Sequence, residues 1–312
     1  MRFLVAICLF ISTAANAAEG LLPWDQTIKQ AISLREQLRY GDAERVLIGR
    51  LAVESQQEGR RVLYLWLATV HLETGRFEAA ERDHARSLSE LRTAYGDRSA
   101  VLLQPLLGLA WLHMETDRVK LAERDFAQAS SVQQSESAED RLTLLHTGAM
   151  LLDALGKLSE AESEYRRTAA VTESTLGPTH ETLGPILNNL GYVLMRRKQY
   201  ASALPILIKA AAILAQAPVQ DRIRSQMNIA MAYHGMGDEA AAERTSAEAM
   251  NLIVSVFGPG HRDLADMLYL RAAILKRLGR KREARDSLAR SLEIARGFQQ
   301  RTVNVYELSV GR

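Results

Sequence analysis

Seven histidines, one cysteine and a set of regularly spaced carboxylates are the residues of this chain whose types could support hydrolysis, metal binding or proton transfer. His180-Glu181 opens like the helical zinc-protease pattern, but Thr182-Leu183-Gly184 follows and the second histidine that would complete the metal site is missing. No phosphate-cradling GxxxxGK[ST] and no nucleophile-elbow GxSxG occurs. His71 and His113 stand three residues after Ala68 and Ala110, and His180 and His261 close two similar loops, so these rings recur by position. Recurrence favours a packing role, because equivalent places along a chain need not converge on one ion. Glu81, Glu123 and Glu243 recur in the same way beside alanines, as solvated or pair-forming charges, and a glycosidase-type carboxylate pair is unsupported. Cys8 is the sole cysteine, which removes a disulfide framework and a cysteine-based zinc cluster. The expectation is a non-enzymatic protein with no cofactor and no metal.

The elements that carry these residues form a repeat. Turn-like segments centre on Gly75, Asp117, Gly156, Lys198, Gly237 and Gly279, at steps of 42, 39, 42, 39 and 42 residues. Seven residues before each centre stands Ala68, Ala110, Ala149, Gly191, Ala230 or Ala272, and five after it Ala80, Ala122, Ala161, Ala203, Ala242 or Ala284. Seven further on come Ser87, Ala129, Thr168, Ala210, Ala249 and Ser291. Small residues at fixed phase on both sides of a turn mark places where two antiparallel helices approach closely, and Leu, Ile, Val and Met recur between them at helical spacing. Glycine at the centre suits a left-handed helix end. Lys198 fits it poorly, so a differently built turn is expected there. An imperfect earlier pair is expected over 23–58, with its turn near Gly41-Asp42.

The pattern resembles the tetratricopeptide repeat. The repeat length and linkers are similar to the kinesin-light-chain-type variant: Leu176-Gly177-Pro178-Thr179-His180 leads into residues 181–191, Phe257-Gly258-Pro259-Gly260-His261 leads into the last repeat, and Tyr95-Gly96-Asp97-Arg98-Ser99 is a degenerate copy without the Pro and His. The resemblance covers residues 60 to about 298. It implies an all-α fold, an α-α superhelix (a TPR solenoid) of about six to seven antiparallel helix pairs. It also implies that the first helix of each pair lines a concave groove, where the residue two before the small position bonds an extended peptide. Those positions are Trp66, Gly108, Thr147, Asn189, Asn228 and Leu270. Asn189 and Asn228 match the family's amide, which both donates and accepts. Asn188, Tyr192, Arg196, Arg224 and Tyr269 share these faces, with inter-repeat hydrogen bonding as their alternative role. The basic and amide set of the family's C-terminal-peptide clamp is not reproduced in consecutive repeats.

Of the 312 residues 47% are hydrophobic, which argues against a disordered chain, and the formal net charge is only +2. That balance hides an asymmetry, since residues 262–312 hold 12 Lys and Arg against 6 Asp and Glu. Lys276, Arg277, Arg280, Lys281 and Arg282 form its densest part, read either as the solvated end of the last helix pair or as a docking patch for an anionic envelope component. Residues 1–17 match a signal peptide: Arg2, an apolar run from Phe3 to Ile11, and Ala15-Asn16-Ala17 at the cleavage point. The reading is therefore an exported bacterial protein, periplasmic or secreted, with a solenoid over 21–298 and a tail over 299–312. No transmembrane segment is expected in the mature chain and no nucleic acid as partner. Two functions stay open: a scaffold that binds a protein or peptide in the groove, and a periplasmic chaperone or assembly factor for envelope or secretion machinery.

Overall fold

A computed structural model of the chain describes residues 23–133 and 137–299. The signal segment expected at 1–17, and all of the tail expected at 299–312 except its first residue, lie outside the described residues. Within them are fourteen α-helices and no strand. They pair in chain order: α1 (Pro23–Glu36) with α2 (Tyr40–Val53), α3 (Gln57–Glu73) with α4 (Phe77–Tyr95), α5 (Leu103–Glu115) with α6 (Val119–Ser131), α7 (Ala138–Ala154) with α8 (Leu158–Leu176), α9 (Leu183–Arg196) with α10 (Tyr200–Ile213), α11 (Val219–Met236) with α12 (Glu239–Phe257), and α13 (Arg262–Arg277) with α14 (Lys281–Gln299). The chain divides into two compact units, the first holding α1 to α8 and the second α9 to α14.

Each pair is closed by the same device. Leu38, Gly75, Asp117, Gly156, Lys198, Gly237 and Gly279 all adopt positive φ. At every one the residue after it donates its N–H to the carbonyl five residues back in the helix, as Arg76 does to His71 at 2.8 Å and Gln199 to Leu194 at 2.9 Å. Lys198 is therefore no exception: its φ of 61° matches Asp117 and Leu38, and its turn is bonded like the rest. The first pair corrects a second expectation. Its turn lies at Leu38, while Gly41 and Asp42 sit in the first turn of α2. A leucine held in the left-handed region hid the turn, although Ala31 and Ala43 stand at the usual spacing from it and are buried at 1% and 0% exposure.

All eighteen small positions of the six later pairs are buried, and the least buried, Ala272 and Ala284 at 9%, belong to the last pair. Nothing among the described residues packs beyond that pair, so its apolar surface is the least covered. At Gly191 a Cβ would lie 2.4 Å from the Leu207 side chain, so the α9–α10 crossing admits no side chain there. The alternating step length also has a physical origin. Each 42-residue step contains a 19-residue second helix (α4, α8 or α12) closed by a glycine at positive φ (Gly96, Gly177 or Gly258), whereas the 39-residue steps contain α6 or α10, of 13 and 14 residues. The structural period is a double pair.

Within each unit the first helices pack on one another as well as on their partners: α1 on α3, α3 on α5 and α5 on α7 in the first unit, and α9 on α11 and α11 on α13 in the second. Cores form between successive pairs. Trp24, Ile28, Leu47, Leu63, Trp66 and Val70 make one in the first unit, and Ile223, Ile253, Leu264, Met267 and Ile294 another in the second.

Candidate functional site

The first helices carry the polar residues that could meet a partner, and in the second unit these concentrate on α9 and α11. Asn228 on α11 donates from Nδ2 to Asn188 Oδ1 on α9 at 3.1 Å, across 40 residues of sequence. Both amides are buried, at 3% and 4% exposure, as is Asn189. Asn228 Oδ1 has no hydrogen-bond partner among the described residues, nor has the buried Ser225 Oγ one turn earlier on the same helix. Arg224 lies beside this pair and donates to Asp221 Oδ1 at 3.4 Å. The face thus combines a fixed donor–acceptor pair with two unused acceptors. Tyr192 on α9 is half-buried, Arg196 ends that helix exposed, and Tyr269 on α13 is 47% exposed. The structure brings Asn188, Asn189, Arg224 and Asn228 onto two adjoining helices, with Tyr269 on the next first helix.

In the first unit the corresponding positions carry no amide. Trp66 is buried, its indole Nε1 without a hydrogen-bond partner among the described residues. Gly108 is covered by the His84 ring, which a Cβ there would meet at 2.2 Å. Thr147 Oγ1 accepts from Trp111 Nε1 at 2.9 Å.

The basic end is partly neutralised. Arg277 Nη1 reaches Glu239 Oε1 at 2.8 Å and the His234 carbonyl at 3.1 Å. Arg280 donates from Nε to Glu283 Oε1 at 2.7 Å and approaches Glu243 at 3.4 Å. Lys276, Lys281 and Arg282 are exposed.

A repeated ionic tie went unread in the sequence. His71 lies between two carboxylates, Nδ1 to Asp83 at 2.7 Å and Nε2 to Glu44 at 3.0 Å, and Arg76 Nη1 holds Glu44 at 2.8 Å. Forty-two residues on, His113 meets Asp125 at 2.6 Å and Glu81 at 3.3 Å, with Arg118 on both Glu81 oxygens at 3.1 and 2.9 Å. Arg280 with Glu243 is a third copy of the arginine contact. The signal was present: Arg one residue after a turn centre, Glu six after the preceding one, His four before and Asp eight after. The hydrogen bond to Asp83 raises the His71 pKa above its ordinary value, against the effect of burial. Both ring nitrogens of His71 and His113 face carboxylates, so neither is open to a substrate proton. The rings join successive pairs. His180 and His261 play another structural part, each accepting the backbone N–H two residues on at 3.3 Å. Among the described residues, no three of His, Cys, Asp and Glu gather around a metal-sized site.

The tetratricopeptide repeat family model matches residues 140–216 and 221–297, over the same phased pairs. The chain belongs to the tetratricopeptide repeat family. Solved structures share its fold. BtubC (BKLC) from P. vanneervenii aligns at 17% identity over 75% of this chain and 96% of its own, with a TM-score of 0.58. The kinesin light chain TPR-like repeats of Podosopora anserina align at 21% identity over 64% and 98%, with a TM-score of 0.51. A Rap protein complexed with Competence and Sporulation Factor aligns at 16% identity over 91% and 78%, with a TM-score of 0.69. No curated protein matches the sequence. The amide cluster of this tetratricopeptide repeat protein lies on α9 and α11, first helices that pack directly on each other. No helix among the described residues is long and apolar enough to cross a membrane.

Proposed function

We propose that this chain is an exported, non-enzymatic scaffold that holds a protein or peptide partner against the first helices of its second unit. The observation that carries the reading is the pair of unused buried acceptors on α11, Asn228 Oδ1 and Ser225 Oγ, beside the amide pair of Asn188 and Asn228. A buried acceptor left without a donor costs roughly 1–3 kcal/mol, so a backbone N–H from a bound segment would recover that energy. Tyr269 supplies an exposed aromatic on the neighbouring first helix. Asn189, Tyr192, Arg196 and Arg224 complete the face. Complexes of tetratricopeptide folds, such as the Rap protein with its factor, agree with a binding role. Lys276, Lys281 and Arg282 would add a contact for an anionic envelope component at the end of the array.

Panning a random peptide library on the folded chain tests this reading. A consensus binder is expected whose affinity falls about tenfold in Asn228→Ala, at an unchanged binding stoichiometry. Binders indifferent to Asn228 and Ser225 would place recognition elsewhere. Export is tested separately by N-terminal sequencing of the protein recovered from the producing cell: a start at Ala18 supports a periplasmic or secreted location, and retention of residues 1–17 opposes it.

A further inference from the structure

The loops that follow α4, α8 and α12 are copies of one another, and one departs from the others. After α8 and α12 the loop reads Gly-Pro-x-His, and its histidine caps the backbone two residues on. After α4 the glycine remains as Gly96, at φ 82°, but Asp97, Arg98 and Ser99 replace the rest, and Ser99 makes no side-chain cap bond. The capping device is lost there and two charges take its place.

Those charges line a cavity of about 400 Å³ inside the first unit, walled by Arg92 from the last turn of α4, Asp97 and Arg98 from the loop, Leu106 from α5, and Gln128 and Ser131 from the last turn of α6. Arg92 donates from Nη2 to Gln128 Oε1 at 2.6 Å, a neutral partner. Its Nε is buried without an acceptor, since Asp97 Oδ1 lies 3.6 Å away, beyond hydrogen-bond reach. The Asp97 side chain is 88% exposed, so water screens its charge. Arg98 is exposed, its carbonyl fixed by the Gln133 N–H at 2.7 Å. Arg92 thus has one screened carboxylate as its ion-pair partner, and Arg98 brings a second guanidinium to the same cavity wall. The other copies serve as internal controls: 81 residues on, the positions of Arg92, Asp97, Arg98 and Leu106 hold Glu173, Pro178, Thr179 and Leu187, and a further 81 on they hold Val254, Pro259, Gly260 and Leu268. The leucine that packs is common to all three, and the arginine pair is found in one.

We propose that this cavity binds a small organic anion, its carboxylate or phosphate head held between Arg92 Nε and the Arg98 guanidinium and its apolar body resting on Leu106. Planar guanidinium donors match such heads in geometry and charge. The head can belong to a free small molecule or to an acidic side chain of a bound chain. The site is independent of the face on α9 and α11.

The test follows the Arg92 Nε–Hε resonance of the full chain during titration with phenyl phosphate, benzoate, or an end-blocked peptide containing one glutamate, each against sodium chloride at equal ionic strength. A saturable shift is expected with at least one probe, weakened about tenfold by Arg98→Gln and unchanged by Arg282→Gln. Because Arg98 is an exposed loop residue, Arg98→Gln should melt with the parent chain. Response to phenyl phosphate or benzoate identifies a free small anion, and response to the glutamyl peptide alone identifies a partner's side chain. A response no greater than that to chloride, or one indifferent to Arg98→Gln, would overturn the proposal.

Discussion

Lys198 holds a left-handed backbone that four of the seven equivalent turns give to glycine, at φ 61° and with both closing hydrogen bonds intact. A side chain in that region is strained by about 1 kcal/mol or more, while glycine adds unfolded-state entropy, so Lys198→Gly should stabilise the chain by about 0.5–1 kcal/mol. Urea unfolding would show the midpoint rising, and a fall would mean that the lysine side chain makes a contact worth more than the strain. Histidines act at the same scale with opposite signs. Burial holds His84 neutral, its pKa lowered to about 4, with the nearby His113 adding to the effect. As pH falls below about 6.5 the unfolded chain therefore takes up a proton that the folded chain refuses, and stability is lost progressively down to about pH 4. Replacing His84 with Gln should flatten that acid limb. His71, raised by its bond to Asp83, contributes stability that is complete below its ordinary pKa and disappears as pH rises through the elevated value. His71→Gln should flatten the opposite side of the stability curve. Recurrence alone marked His71 and His113 as structural, but one of the two carboxylates on each ring, Glu44 or Glu81, comes from the preceding pair, and spacing within one pair does not reveal it. Leu38 stands at the phase set by Ala31 and Ala43, but a leucine carries no compositional mark of a left-handed turn.

At the scale of the helix pair, the phase of small residues described the crossings accurately because a close approach tolerates no larger side chain. Ala149 and Ala230 are both fully buried at such crossings. Ala149→Leu or Ala230→Leu should cost about 1–3 kcal/mol through overpacking, read as a lowered urea midpoint with an unchanged slope. An unchanged midpoint would remove these residues from the crossings. The steps of 42 and 39 residues were legible as numbers, but not which element absorbed the difference. That depends on where α4, α8 and α12 stop, and each stops at a glycine with positive φ whose N–H returns to the carbonyl four residues back. The proposed binding face was legible in part. Asn189 and Asn228 stood out through their family position, whereas the Asn228–Asn188 bond and the unused Ser225 hydroxyl depend on how α9 and α11 pack.

At the scale of the whole molecule, composition described the chain least well. A net charge of +2 gives no hint that Arg277 and Arg280 are drawn onto Glu239, Glu243 and Glu283, leaving Lys276, Lys281 and Arg282 as the outward cations of the basic end. The proposed binding role rests on a single face. Tyr269 on α13 and Ile208 on α10 are equally accessible, at 47% and 48% exposure, and stand on a first and a second helix of the same unit. A photo-crosslinking residue placed at each in turn, in the cell that makes the protein, compares the two faces directly. One discrete cross-linked partner is expected from position 269, lost when Asn228 is replaced by Ala, and none from position 208. Capture of the same partner from position 208, or a smear of many weak species from both, would contradict it.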